Sequence, residues 1–207
     1  MNALKARAAA PSDMRQHILD RASEVLAEDG PEGLSMRRLS QRIGASTIVL
    51  YTHFRDKQAI LDELYVEGFA RLTADLEAVR VDADPVIHVM NLGRAYRASA
   101  VRNPTYYQLM FTRCVPGFDP APESRAAARQ AFAVLAAAVQ RCLDAGLLVD
   151  GDASHVAHTL WGTLHGLISL ELFGYLPPKI SGAQRLEHAL TVIRDGLLAA
   201  HRPGASS

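Results

Sequence analysis

This chain of 207 residues is most informative first for what it has little of. Its two cysteines, Cys114 and Cys142, are too few for a disulfide framework and read as small buried or half-buried thiols in a reducing compartment. Aromatic residues make up only 6% of the chain, and no segment alternates apolar and polar side chains for the length of a strand, so a sheet has no material to form from. The formal charge is zero, which excludes a protein coated with nucleic acid over its whole surface but leaves room for a local footprint. The most apolar run, Leu160 to Leu176, is interrupted by His165 and Glu171 and falls short of a membrane span. The opening MNALKARAAAPSD lacks the apolar core of a signal peptide, and the expectation is a soluble, cytoplasmic protein with no membrane partner. Catalytic furniture is missing as well. No glycine-rich phosphate loop follows a strand, no Ser or Cys has a recognisable base, and no paired glutamates with Glu-x-x-His spacing occur. No catalytic residue and no cofactor is expected.

What is present is alanine and a 49% apolar fraction, ample for a helical core. A first helix runs from Ser12 to about Asp29 with Ile18, Leu19, Ala22, Val25 and Leu26 on one face, and Gly30-Pro31-Glu32-Gly33 stops it. Ser35 caps a short second helix through Arg42, with Leu34, Leu39 and Ile43 inward. Gly44 turns the chain and Ser46 caps a third helix, whose inward residues are Leu50 and Phe54. Asp56 caps a fourth that reaches about Val79. Asp84-Pro85 starts a fifth helix ending at Asn103-Pro104, followed by a short one from Thr105 to about Arg113 and a loop over Val115 to Pro122. An alanine-rich helix spans Glu123 to Ala145, and the last two run from Asp152 to about Tyr175 and from Ser181 to about Ala200, where Ser181 and Gln184 form a capping box. The fold class is all-α. We expect a mobile tail over 1–11, a three-helix DNA-binding domain with a helix-turn-helix over 12–57, a larger helical ligand-binding and dimerisation domain over 58–200, and a disordered tail over 201–207.

The stretch Leu34 to Lys57, LSMRRLSQRIGASTIVLYTHFRDK, sets Arg37, Arg38, Arg42, Arg55 and Lys57 against Asp56 alone, an excess of four charges in a neutral chain. Phosphate contact is the usual reason to concentrate positive charge on a small helical unit. Leu39, Ile43 and Leu50 would lock two helices about Gly44, leaving Thr47, Ile48 and Thr52 outward and short enough to let the helix backbone approach base edges. Thr47 can donate or accept, and Ile48 with Val49 offers methyl contacts suited to thymine. Tyr51 and His53 carry a polar group beyond an apolar ring, and Lys57 adds a charge at a helix start, where anions bind. Ser35 and Ser46, at the two caps, complete the candidate DNA-contacting set. An ordinary helical hairpin with solvated charges is the plainer alternative.

Beyond these features, the strings ILDRASEVLAEDG, LSMRRLSQRIGAS and LYTHFRDKQAIL make residues Gln16 to Leu61 resemble the N-terminal domain of the TetR family of regulators. The resemblance implies three short helices leading into a connecting fourth, homodimers on pseudopalindromic operators, and base or phosphate contact by Arg37, Thr47, Tyr51, His53 and Lys57. Two positions depart from the family pattern. Ile48-Val49 replaces the small residue that often precedes the Leu-Tyr pair, and Ser40 stands where alanine is usual.

In the C-terminal part, Trp161-Gly162-Thr163-Leu164-His165-Gly166-Leu167 places two glycines four residues apart, so one helix face is bare enough for another helix to approach closely. This string, with NPTYYQLMF upstream, resembles the TetR-like C-terminal domain named for its Trp, His and Gly. The family resemblance implies that the last two helices pair with their counterparts in a homodimer. His165 is open to several readings, as a core histidine held by one hydrogen bond, as the polar contact deep in a ligand pocket, or, with His155 and His158, as a zinc ligand that no Cys or carboxylate completes. No metal is expected. Tyr96, Tyr107, Met110 and Phe111, with Trp161 and His165, form the candidate lining for a small apolar effector, although such stripes are also ordinary core. The leading function is a ligand-responsive repressor on a double-stranded operator, its two recognition helices roughly 34–36 Å apart and its effector coupled to DNA by about 1–3 kcal/mol. The effector would act by changing the angle of the fourth helix. An enzyme, or an adaptor that has lost DNA binding, are the alternatives from other classes.

Overall fold

The computed structural model describes residues 11–112, 114–148 and 152–199. The expected tails therefore lie outside the described residues, apart from Pro11, which begins the first helix. Among the described residues there are nine helices and no strand: α1 Pro11–Gly33, α2 Met36–Ile43, α3 Thr47–His53, α4 Lys57–Glu77, α5 Pro85–Arg102, α6 Pro104–Phe111, α7 Arg125–Asp144, α8 Ala153–Leu172 and α9 Gly182–Ala199. None of these is long and apolar enough to cross a membrane.

The helix starts follow local chemistry. Asp84 accepts from the backbone N–H groups of Val86 and Ile87 ahead of Pro85, and Asp152 accepts from Ser154. The capping box closes in both directions, Ser181 N–H to Gln184 Oε1 at 3.0 Å and Gln184 N–H to Ser181 Oγ at 3.2 Å. Ser35 Oγ accepts from Arg38 N–H at 3.2 Å, whereas Ser46 occupies the cap of α3 without a side-chain capping bond. The expected stop at Gly30 is a bend. Gly30 takes φ 68° and ψ −173°, and one further turn follows because Pro31 is preformed for a new first turn and has no N–H to continue the old ladder.

Two compact units result. The first takes in the described residues up to Gly68 together with Thr105–Arg125, and the second Phe69–Pro104 and the described residues from Ala126 onward. α4 contributes its first half to one and its second half to the other. This division differs from the boundary expected near residue 57, because α6 and the loop after it belong to the first unit. The reason is visible on α4, where Ile60, Leu61, Leu64 and Tyr65 spread apolar surface over more than one face. Ile18, Leu19, Leu34, Leu39, Leu50 and Phe54 share a core with part of that surface, and Tyr106, Leu109 and Val115 complete it. The loop is tied down as well. Asp62 accepts from Ala121 N–H at 3.0 Å and Ser124 Oγ at 2.7 Å, Gln58 Nε2 donates to the Gly117 carbonyl, and Tyr65 meets Phe118 edge to face.

In the second unit α5 packs on α8 and α9, and α8 on α9. Arg97 holds Glu171 of α8 and Arg94 holds Glu187 of α9, in each case with two guanidinium nitrogens on two carboxylate oxygens. Where the three helices meet, a Cβ on Gly93 would lie 2.9 Å from Leu190 and 3.0 Å from Leu164, so the crossing depends on a residue without a side chain. A second apolar cluster is built on Val139, Cys142, Leu148, Ala157 and Leu160. Burial pushes the Cys142 thiol up, away from the thiolate.

Candidate nucleic-acid interface

α2 and α3 form the expected hairpin. Leu39 and Leu50 are fully buried between them, and Gly44 supplies the left-handed turn with φ 66° and ψ 27°, its N–H bonded to the Gln41 carbonyl. With Leu50 and Phe54 inward, the opposite side of α3 faces solvent, and Ile48 is 73% and Tyr51 55% exposed. Ser35, Arg37, Ser46 and Thr52 are also exposed, while Thr47, His53 and Lys57 are half-buried. Among the described residues the side chains of Thr47 and Tyr51 make no hydrogen bond, so both retain their full capacity for an external partner. Thr52 is different, since its hydroxyl donates to the Val49 carbonyl at 2.6 Å and keeps only acceptor capacity outward.

The charge reading needs correction. Arg38 pairs with Asp29 at 2.7 Å and Arg42 with Glu28 at 2.6 Å, both acids belonging to α1, and Arg55 pairs with Asp56 at 2.9 Å. Glu28 and Asp29 lie outside the 34–57 segment and halve its excess charge. The Glu28 carboxylate, by hydrogen bond and charge, holds the Arg42 guanidinium still more firmly protonated than usual. Arg37 makes no ion pair among the described residues. Lys57 Nζ donates to the Pro31 carbonyl at 3.2 Å, an uncharged partner, so its charge is not neutralised. Among the described residues of this segment, the cations without an ion pair are thus Arg37 and Lys57.

A polar chain of buried Tyr96 and half-buried Trp161, His165 and Ser169 lies in the second unit. Trp161 Nε1, which can only donate, lies 3.3 Å from Tyr96 Oη, and Tyr96 Oη lies 2.9 Å from His165 Nδ1. With the imidazole proton on Nε2, which faces Ser169 Oγ at 3.5 Å, Nδ1 can accept the Tyr96 proton. Burial lowers the His165 pKa and favours the neutral imidazole. Phe132 of α7 packs on His158 at 4.1 Å and on Trp161 at 6.2 Å between ring centroids.

The description of bacterial regulatory proteins of the tetR family matches residues 18–64, and that of the tetracyclin repressor-like C-terminal domain matches residues 89–193, half of the chain. The chain belongs to the TetR family. This TetR-family regulator is 44% identical over 57 residues to the class D tetracycline repressor protein of Escherichia coli, covering 28% of this chain and 26% of that protein. It is 31% identical over 91 residues to the HTH-type transcriptional regulator YobS of Bacillus subtilis, covering 44% and 48%. The matches thus span between a quarter and a half of the length of these curated relatives. A solved protein of unknown function from Rhodococcus sp. RHA1 is 29% identical, with a TM-score of 0.81 over 95% of this chain and 100% of that one.

Within the TetR frame, α2 and α3 form the helix-turn-helix of the N-terminal domain matched over residues 18–64. The candidate effector residues divide between the units. Tyr96, Trp161 and His165 come together in the second, whereas Tyr107, Met110 and Phe111 lie in the first, where Tyr107 meets Phe111 at 5.1 Å and Met110 packs against the core. A small apolar cavity in the second unit, bounded by Val86, Val89, Val139, Cys142, Leu160 and Arg194, is lined by none of them. Sequence reasoning missed Phe132, Ser169 and Arg15. An aromatic residue in an alanine-rich helix was a usable signal for the first. Ser169 follows His165 at i+4 and was findable by spacing. Arg15 gave no local sign.

Proposed function

We propose that this chain is a cytoplasmic, homodimeric repressor that leaves a palindromic operator when a small apolar effector binds. The observation that carries the DNA reading is the outward face of α3, where Ile48 and Tyr51 stand exposed beside Thr47 with no internal task. Bases read by methyl and hydroxyl contacts suit these side chains, and Arg37 with Lys57 suits the flanking phosphates. Supporting the dimer is the solvent face of α8, where Gly162, Thr163, Gly166 and Leu170 are exposed and a Cβ on either glycine would meet nothing within 4 Å. Val192 of α9 is 56% exposed, and an apolar face of this kind is ordinarily covered by a second copy. For the effector we assign contact to Tyr96, Trp161 and His165, in a C-terminal domain of the Trp-His-Gly kind.

The test is genomic-fragment binding by the purified protein at two salt concentrations, beside Tyr51→Ala. Discrete palindromic sites that disappear in the variant are expected, with affinity falling steeply as salt rises. Weak uniform binding that the variant does not change would sink the reading.

A further inference from the structure

We propose that Arg15 is a positioning residue for operator recognition, fixing the C-terminal end of α3 against α4 and so setting the pose of the recognition helix. The inference rests on α3 being the helix that reads DNA. All three guanidinium nitrogens of Arg15 are engaged inside the first unit. Nε donates to Glu63 Oε2 of α4 at 3.1 Å, Nη2 donates to Glu63 Oε1, and Nη1 donates to the backbone carbonyl of His53, the last residue of α3. The guanidinium also lies over the ring of Phe54, 4.2 Å from its centroid. One planar group of α1 thus joins the end of the recognition helix to the next helix.

The chemistry suits a fixing role. The last carbonyls of a helix have no partner within it, and a cation there is favoured by the helix dipole. α3 has only seven residues, anchored at mid-length by the fully buried Leu50, so the pose of its ends depends on what holds them. At its start Ser46 gives no side-chain cap; at its finish the restraints are the burial of Phe54 and the Arg15 bond. Three of the five guanidinium N–H donors of Arg15 are thus held by Glu63 and His53, leaving one on each Nη. An ordinary exposed ion pair contributes little to stability. This one differs in linking three elements through a bidentate fork and a helix-end carbonyl.

The experiment compares Arg15→Met, Arg15→Lys and Glu63→Gln with the unaltered full-length chain. Two probes are used, the duplex that the unaltered protein enriches from a random-sequence pool and poly(dI–dC), each titrated at several salt concentrations, with circular dichroism to verify folding. Arg15→Met removes a positive charge and Glu63→Gln a negative one, so a purely electrostatic role moves DNA affinity in opposite directions. Positioning predicts the same direction. Both variants should weaken the enriched duplex by about tenfold, with poly(dI–dC) affinity and salt slope nearly unchanged, and Arg15→Lys, lacking the fork, should fall between. Opposite signs for the two variants, or a salt slope reduced by about one in Arg15→Met, would make Arg15 a charge or phosphate contact and overturn the proposal. A lower melting temperature with an unchanged ratio between the two probes would make it a stability residue only, with the same consequence. Should the unaltered protein enrich no duplex at all, the DNA reading itself fails, an outcome visible before any variant is made.

Discussion

The two units use polar side chains in opposite ways. On α3, Thr47 and Tyr51 make no side-chain hydrogen bond among the described residues, whereas on α5 and α8 buried Tyr96 and half-buried Trp161, His165 and Ser169 form a hydrogen-bonded chain. An outward group without an internal partner adds little to folding, so its identity answers to what it meets from outside. An inward chain of donors and acceptors must be complete, because a buried group left unpaired is destabilising. Exposure and satisfaction together therefore separate recognition from architecture better than residue type does, since tyrosine and histidine occur in both places.

The largest effect that would test this separation is at Phe54, 2% exposed and directly behind the recognition helix. Phe54→Ala should destabilise the first unit by about 3–5 kcal/mol, while Tyr51→Ala should stay within about 0.5 kcal/mol of the unaltered protein in urea unfolding followed by circular dichroism. A large loss of stability in Tyr51→Ala would show that its ring is part of the architecture after all.

Next in size is His165→Leu, which removes the ring nitrogen 2.9 Å from the Tyr96 hydroxyl and should cost about 1–3 kcal/mol near pH 8. The pH dependence sharpens the point. Burial holds the folded His165 pKa below its unfolded value, so the unfolded chain binds the extra proton first as acid is added. The contribution of His165 to stability is complete above its unfolded pKa and is lost as pH falls through the folded one. His165→Leu should flatten that part of the stability profile, and an unchanged acid limb would count against a neutral, inward imidazole.

The smallest effect belongs to Arg42. Its pairing with Glu28 and Asp29 is at the surface, and Arg42→Gln should leave the thermal midpoint unmoved within measurement. The same variant should weaken DNA binding less than Arg37→Gln does, since Arg42 is already neutralised and Arg37 is not, which gel shifts at low salt can check.

Much of this arrangement was legible in the residues, and the parts that were not share a cause. Asp84, Ser35 and the Ser181–Gln184 box act within one helical turn, so spacing alone reveals them. Leu39, Leu50 and Gly44 mark the hairpin because a helix-turn-helix has few ways to be built. By contrast, the pairing of Arg38 and Arg42 with acids of α1 and the placement of Tyr106, Leu109 and Val115 in the first unit's core depend on which distant segments meet. Arg15 shows the limit most clearly. It lies 38 residues from His53 and 48 from Glu63, and no periodicity connects them.

At Gly93, Leu164 and Leu190 reach from α8 and α9 toward the same bare length of α5 backbone, leucine methyl against main chain. No α5 side chain stands between the helices at that point, while Arg94 and Arg97 further along α5 fix both of them through Glu187 and Glu171. A methyl group at position 93 would sit within 3.0 Å of both leucines, so both side chains would have to shift to admit it.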